Sequence, residues 1–228
     1  MWLLGFGVVR ALFPLVGGGV AIVAAQHGFG LLNVVSLPGA VTAVAAILLL
    51  DLAKYAEHRT FHRVRLLWRV HRMHHTDVDF DVTLGLRFHP IEVVLSTCWS
   101  VSVIGLLGLP AAAVAIWHVV LLANAAFAHG NVRMSGGLDR ALRLVTVTPD
   151  MHRVHHSAAG EESGSNLGSL FPWWDRMLGT YVAAPAAGID AMRIGTDDYR
   201  DAKHQTLPWM LAHPFLPTRR STRQQGGG

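Results

Sequence analysis

His152-Arg153-Val154-His155-His156-Ser157 has a near-copy eighty-one residues upstream, His71-Arg72-Met73-His74-His75-Thr76. On a helix, positions i, i+3 and i+4 share one face, so each stretch can aim three imidazoles at one point. His58 and His62, at i, i+4 spacing, stand just before the upstream copy. Eight imidazoles exceed what one metal ion holds, and the spacing therefore predicts a two-metal site ligated by histidine. A solvated basic face would instead scatter histidines among lysines, whereas within the two copies only arginine supplies charge.

The chain around these boxes is greasy. Of 228 residues 51% are hydrophobic and 15% charged, and the mean hydropathy of +0.35 points to a membrane protein. Residues 11–26 are apolar but broken by Pro14 and Gly17-Gly18-Gly19, which predicts a kinked or half-inserted first helix. Residues 31–50 read as a second span closing on Leu48-Leu49-Leu50. Asp51, Lys54 and Tyr55 mark its exit, and a helical extension would carry His58 and His62. Residues 91–109 and 111–127, parted by Leu109-Pro110, read as a helical hairpin, with His118 and Asn124 inside its second arm and His129 at its exit. Residues 1–182 read as the membrane domain and 183–228 as a polar C-terminal tail, partly disordered.

Charge fixes the orientation. The 19 Lys and Arg residues fall as Arg10, seven from Lys54 to Arg87 and eleven from Arg133 to Arg223, and the loops at 27–30 and 108–110 hold none. By the positive-inside rule both histidine-bearing segments lie on the cytoplasmic side. The expected fold is all-α: an integral membrane protein of about four transmembrane helices under a cytosolic helical cap holding a dinuclear histidine site. The Met1 end lacks a basic stretch before its apolar run, so a cleaved signal peptide is not expected.

Several chemistries are excluded. Cys98 is the lone cysteine, which leaves no disulfide framework, cysteine-ligated zinc or cysteine-held iron–sulfur cluster. HExxH, Glu-x-x-His, the nucleotide-binding glycine motifs and Gly-x-Ser-x-Gly do not occur. A net charge of +4 without a basic–aromatic stripe reflects topology and gives no reason to expect nucleic acid. Neutral imidazole suits Fe, Zn, Cu and Ni. An all-histidine site beside apolar helices suits oxidation of a lipid; the rival reading is a histidine-rich metal transporter or sensor, which would need ligands inside the spans.

One longer pattern sharpens this. It runs from Asp51, Tyr55 and His58-Arg59-Thr60-Phe61-His62 through Leu67-Trp68-Arg69-Val70-His71-Arg72-Met73-His74-His75 to Arg87-Phe88-His89-Pro90. It continues through His129-Gly130-Asn131, Thr148-Pro149-Asp150-Met151-His152-Arg153-Val154-His155-His156-Ser157, Trp174-Asp175-Arg176 and Gly179-Thr180. Over roughly residues 40–182 the chain resembles the fatty acid hydroxylase/sterol desaturase superfamily of membrane di-iron oxygenases. The resemblance implies that His58, His62, His71, His74, His75, His152, His155 and His156 are metal ligands. It adds His129 as a further ligand, direct or through water; where some relatives carry another histidine one turn earlier, this chain has Ala125. It implies two iron ions (zinc can occupy such a site in purified protein) and O2 as co-substrate. The reaction would be hydroxylation or desaturation of a lipid such as a sterol, fatty acyl chain or carotenoid, within the membrane lipid.

Electrons would come from a separate reductase, ferredoxin or cytochrome, because His89-Pro90 is not followed by the Gly-Gly of a fused cytochrome segment. The short, Ala-, Gly- and Arg-rich chain fits a bacterial inner membrane. Asp51 reads as a helix cap, Asp150 and Asp175 as caps or partners of ligand N–H groups, and Trp173 and Trp174 as an interfacial belt. The arginine of each box is expected to pair with a carboxylate or a lipid phosphate. His89 reads as support at a helix boundary, His118 as a packed or channel residue, and His27, His204 and His213 as structural or exposed.

Overall fold

A computed structural model describes residues 15–217. Among them no strand forms, although Ser157 and Ile194 make an isolated antiparallel bridge. Four stretches are long and apolar enough to cross a membrane: Leu15–Val34, Gly39–Arg63, Pro90–Leu107 and Ala111–Ala128. The first is a helix over residues 15–26 (α1), a turn through Gly28 and Gly30, and a single helical turn Leu31–Val34 (α2). The second span was expected to begin at residue 31. It begins at Gly39, because Pro38 lacks an N–H and its fixed φ suits the start of a helix.

That helix, α3 (Gly39–Arg63), has 25 residues, about 37 Å of rise. The hydrocarbon layer is about 30 Å thick, so its last turns project beyond it. Val64 then takes an extended conformation and the chain turns into α4 (Arg65–His75), which buries Val70 to His75. α5 (Pro90–Leu107) starts cleanly: His89 Nδ1 accepts from Ile91 N at 3.1 Å and Pro90 occupies the first turn. It ends at Gly108, whose φ of 62° leads into α6 (Ala111–Ala128). A Cβ on Gly30 (φ 96°) would lie 2.3 Å from Gly108 N, so the two turns on this side of the bundle close backbone to backbone. Ala46 and Leu50 of α3, Ile104 of α5, and Ala113, Val114 and Trp117 of α6 form the buried core between the spans. In lipid such contacts hold by van der Waals fit, which small residues such as Ala46 and Ala113 permit.

The cap is built from short pieces: α7 (Gly136–Leu142), α8 (Pro149–His155), α9 (Gly160–Ser163), α10 (Trp173–Met177) and α11 (Leu207–Ala212). Thr148 caps α8 by accepting from Met151 N, and Pro149 fills its first position. Asp175 of α10 accepts from Leu167 N at 2.7 Å, Gly168 N at 2.8 Å and Thr180 Oγ1 at 2.6 Å, and so pins the loop at 165–171.

Of the stretch read as a polar tail, residues 183–217 fold onto both histidine boxes, and 218–228 lie outside the described residues. Ala158 N donates to Arg193 O and Gly195 N to His156 O, while Gln205 Nε2 donates to Thr76 O. Gly195 (φ 101°) leaves no room for a side chain, since its Cβ would meet Asp77 O at 2.7 Å. Arg72 sends its guanidinium into this segment, donating to the carbonyls of His213, Leu216 and Pro217 and lying against the Tyr199 ring. Arg153 donates to Asn131 Oδ1 at 2.8 Å and lies over Phe80. The box arginines thus tie the cap together through amide and carbonyl oxygens, with the carboxylates of Asp198 attracting Arg72 and of Asp150 attracting Arg153, in line with the expected carboxylate pairing.

Candidate metal centre

Four elements bring nine imidazoles together. The projecting end of α3 carries His58 and His62; α4 carries His71, His74 and His75. His129 caps the C-terminus of α6, and α8 with its cap residue carries His152, His155 and His156. They fall into two groups, His58, His62, His71, His75 and His155 in one, His74, His129, His152 and His156 in the other. Within each group the candidate ligand atoms lie within 4.8 Å of one another. All nine histidines singled out from the sequence are present, and the groups contain no others.

The boxes do not each serve one point, as the spacing had suggested. His71 and His75 join one group while His74 joins the other; His152 and His156 join the second while His155 crosses to the first. Helical rotation explains it. At about 100° per residue, i and i+4 diverge by about 40°, but the adjacent i+3 and i+4 diverge by the full 100°. Each box therefore straddles both groups.

The distances suit metal ions. Around a cation with metal–nitrogen bonds of about 2.0–2.1 Å, neighbouring nitrogens lie about 2.9 Å apart at right angles and about 3.4 Å apart at tetrahedral angles. His58 and His75 place Nε2 at 3.2 Å from His71 Nε2. His129 Nε2 lies 3.4 Å from His74 Nε2 and 2.9 Å from His152 Nε2, and His156 Nε2 lies 3.2 Å from His152 Nε2. The buried Nε2 atoms of His62 and His155 have no hydrogen-bond partner, as befits lone pairs reserved for a metal.

Four of the rings are aimed by what Nδ1 touches, whereas the buried Nδ1 atoms of His74, His75 and His152 have no hydrogen-bond partner. Nδ1 of His58 lies 2.8 Å from Leu167 O, that of His155 2.9 Å from Ser165 O, and that of His129 2.8 Å from Ala125 O. Donation from Nδ1 to these carbonyls leaves Nε2 free to coordinate. For His71 the partner is a carboxylate: Glu92 Oε1 lies 2.6 Å from Nδ1, with both side chains buried. Burial, and repulsion from neighbouring imidazoles, holds His74, His75, His152 and His156 well below the usual histidine range, and burial pushes His155 down to about 3. Neutral rings are the ligating form.

Glu92 was not anticipated, although a lone carboxylate in the apolar run after Pro90 is a usable signal. Asp175 acts one step further out than expected, by holding the loop whose carbonyls aim His58 and His155. Asp150 sits in the first turn of α8, where an acidic residue favours the helix dipole. Asp51 is no terminal cap. Buried within α3, it accepts from Phe171 N and from Trp174 Nε1 at 2.8 Å, so Trp174 is a strut between span and cap. His89 caps α5, His118 faces a cavity, and His213 is buried against the Arg72 arm.

Of two cavities that share lining residues, the smaller reaches the site. One of about 110 Å³ lies among α3, α5 and α6, lined by Glu92, Ser96, Ser100, Trp117, His118 and Leu121. A second, of about 60 Å³, shares Lys54, Phe88, Glu92 and Leu121 with the first and is bordered by His58, His71, His74, His129 and His152. The histidines thus meet an apolar passage on one side and the sealed cap on the other.

The histidine groups therefore sit at one end of a bundle with four helices long and apolar enough to cross a membrane. The fatty acid hydroxylase family profile matches residues 43–180, and the chain belongs to that family. It is an integral membrane protein. Over 149 residues it is 32% identical to the ornithine lipid hydroxylase OlsE of Rhizobium tropici, an overlap of 65% of this chain and 44% of that protein. Over 142 residues it is 28% identical to the alkylglycerol monooxygenase of Homo sapiens, covering 62% of this chain and 31% of that protein. With the Xenopus tropicalis alkylglycerol monooxygenase it shares 29% over 134 residues, 58% of this chain and 28% of that protein. The chain spans less than half the length of these relatives. No solved structure matches.

Proposed function

We propose that this chain is an O2-dependent di-iron hydroxylase of a membrane lipid, its nine histidines holding one iron in each group. The convergence of those imidazoles beside a cavity that leads between the spans supports this reading most directly. The relatives' names, an ornithine lipid hydroxylase and alkylglycerol monooxygenases, favour hydroxylation over desaturation and a polar-headed lipid over a carotenoid. When bound, the iron ions supply the chemistry that reduces O2 and places one oxygen atom in a C–H bond: R–H, O2, two electrons and two protons give R–OH and water. The electrons come from a separate donor protein, a reductase, ferredoxin or cytochrome.

The chain's own residues prepare that event. Glu92 and the carbonyls of Ser165, Leu167 and Ala125 hold four rings in the ligating tautomer. The cap closes the face opposite the cavities and so limits bulk water. Residues 1–182 form the working domain, with residues 183–217 as its clasp. The charge pattern supports a site on the cytoplasmic side of a bacterial inner membrane. A metal transporter would need ligands along the spans, and here they gather where α3 leaves the bilayer.

Metal content per chain in detergent-purified protein, alongside His74→Ala and His155→Ala, tests the proposal. About two irons per chain, with each variant losing metal and O2-dependent turnover of a lipid, is the expected result. Variants that keep full metal and full activity would overturn it.

A further inference from the structure

The wall shared by the two cavities carries charge in a segment where charge is expensive. Glu57 Oε1 accepts from Lys54 Nζ at 2.7 Å and from Ser96 Oγ at 2.5 Å, and Glu92 Oε1 accepts from His71. The second oxygen of each carboxylate is buried and lacks a donor. Both residues line the cavity beside the histidines, and Lys54 and Glu92 also line the larger one. Buried acceptors without donors are costly, and native structures seldom keep two together without a use for them.

The geometry points to a head-group site formed by Glu57, Glu92 and Lys54, fitted to a lipid head with at least two hydrogen-bond donors and no net negative charge. Such a head, a polyol or an amino-bearing group, supplies a donor to each orphan oxygen, and a polyol also offers a hydroxyl oxygen to the remaining N–H groups of Lys54. A free carboxylate head would satisfy Lys54 alone, set a third carboxylate beside two, and leave both acceptors unmet. The two fixed carboxylates also oppose the pull of bound metal ions on an anionic head. The tail would follow α5 from Glu92 to Ser100, about 12 Å of rise, against Trp117 and Leu121. Because Glu92 bonds His71 and Glu57 precedes His58, the oxidised carbon lies within a few bonds of the head, not at the tail's far end.

This site rests on the hydroxylase reading only in calling the lipid a substrate, and its test requires no turnover. Zinc-loaded protein in uncharged nanodiscs is titrated with three labelled single-chain lipids of equal length, a 1,2-diol, a primary amine and a carboxylic acid. The diol and the amine should each bind about tenfold or more tightly than the acid, and Glu57→Gln should erase most of that preference. Acid binding as tight as the diol in the wild type overturns the site even if Glu57→Gln proves too unstable to purify. A folded Glu57→Gln with the preference intact overturns it as well. A chain that prefers the diol yet never oxidises any lipid would sink the hydroxylase reading and leave the head-group site standing.

Discussion

Replacing Glu92 by Gln probes the aim of a single ring. The side chain keeps its length and an oxygen that can accept from His71 Nδ1, but it loses the charge behind a 2.6 Å bond between two buried groups. Charge-assisted hydrogen bonds of this kind contribute about 1.5–3 kcal/mol. Loss of a carboxylate behind a metal-bound imidazole typically lowers metal affinity about 10- to 100-fold, about 1.4–2.8 kcal/mol. The two estimates agree, so the affinity of the group containing His71 should fall by that factor. The group of His74, His129, His152 and His156, which makes no bond to Glu92, should hold its metal. Equilibrium dialysis against graded chelator, with metal per chain read by elemental analysis, resolves the two as separate steps. A Glu92→Gln protein with the wild-type chelator midpoint for both steps would refute the reasoning. Equal weakening of both steps would mark a folding defect rather than a misaimed ring.

Three further outcomes are expected. Asp175→Ala removes the acceptor for three donors and should cost about 3 kcal/mol or more; thermal unfolding checks the loss, and metal release should accompany it as the carbonyls of Ser165 and Leu167 drift. Metal-free protein should lose stability as pH falls from about 6.5. Unfolded histidines take up protons below that value, whereas folded His213 stays neutral to about 4 and His155 to about 3. The unfolded state then binds more protons, so each such imidazole removes about 1.4 kcal/mol per pH unit across its window, a slope that unfolding midpoints against pH would reveal or disprove. Ala125→Leu puts bulk into the smaller cavity beside His129 and should block lipid binding while metal stays bound; unchanged lipid affinity would show that lipids do not use this passage.

The spans and eight of the histidines were legible in the sequence because each is a local pattern, a run of apolar residues or imidazoles at helical spacing, whereas His129 has no spacing partner and came from the resemblance alone. How the boxes are shared was not legible. Whether His74 and His155 serve the same centre as their neighbours depends on how α4 and α8 face each other, a tertiary fact that spacing alone leaves open. The start of α3 was misplaced because the apolar run at 31–50 passes straight through Pro38, and the backbone constraint outweighed hydropathy. Glu57 and Glu92 were hidden for the opposite reason, as single charges at the margins of greasy helices whose meaning appears only with Ser96, Lys54 and His71 around them. The 183–217 segment looked like a tail because its anchors are backbone groups, Gln205 and scattered arginines such as Arg69, Arg72 and Arg87, which leave no periodic signal.

That segment gives biogenesis a direction. Both histidine boxes and the four described spans are synthesised before residues 193–216 exist to grip them. The nascent bundle therefore waits in the bilayer with its metal-binding face uncovered until that later stretch is made and shuts it. Metal delivery has a natural interval, after insertion and before Gly195 and Arg72 lock their partners. An ion that arrives later must open the clasp to enter.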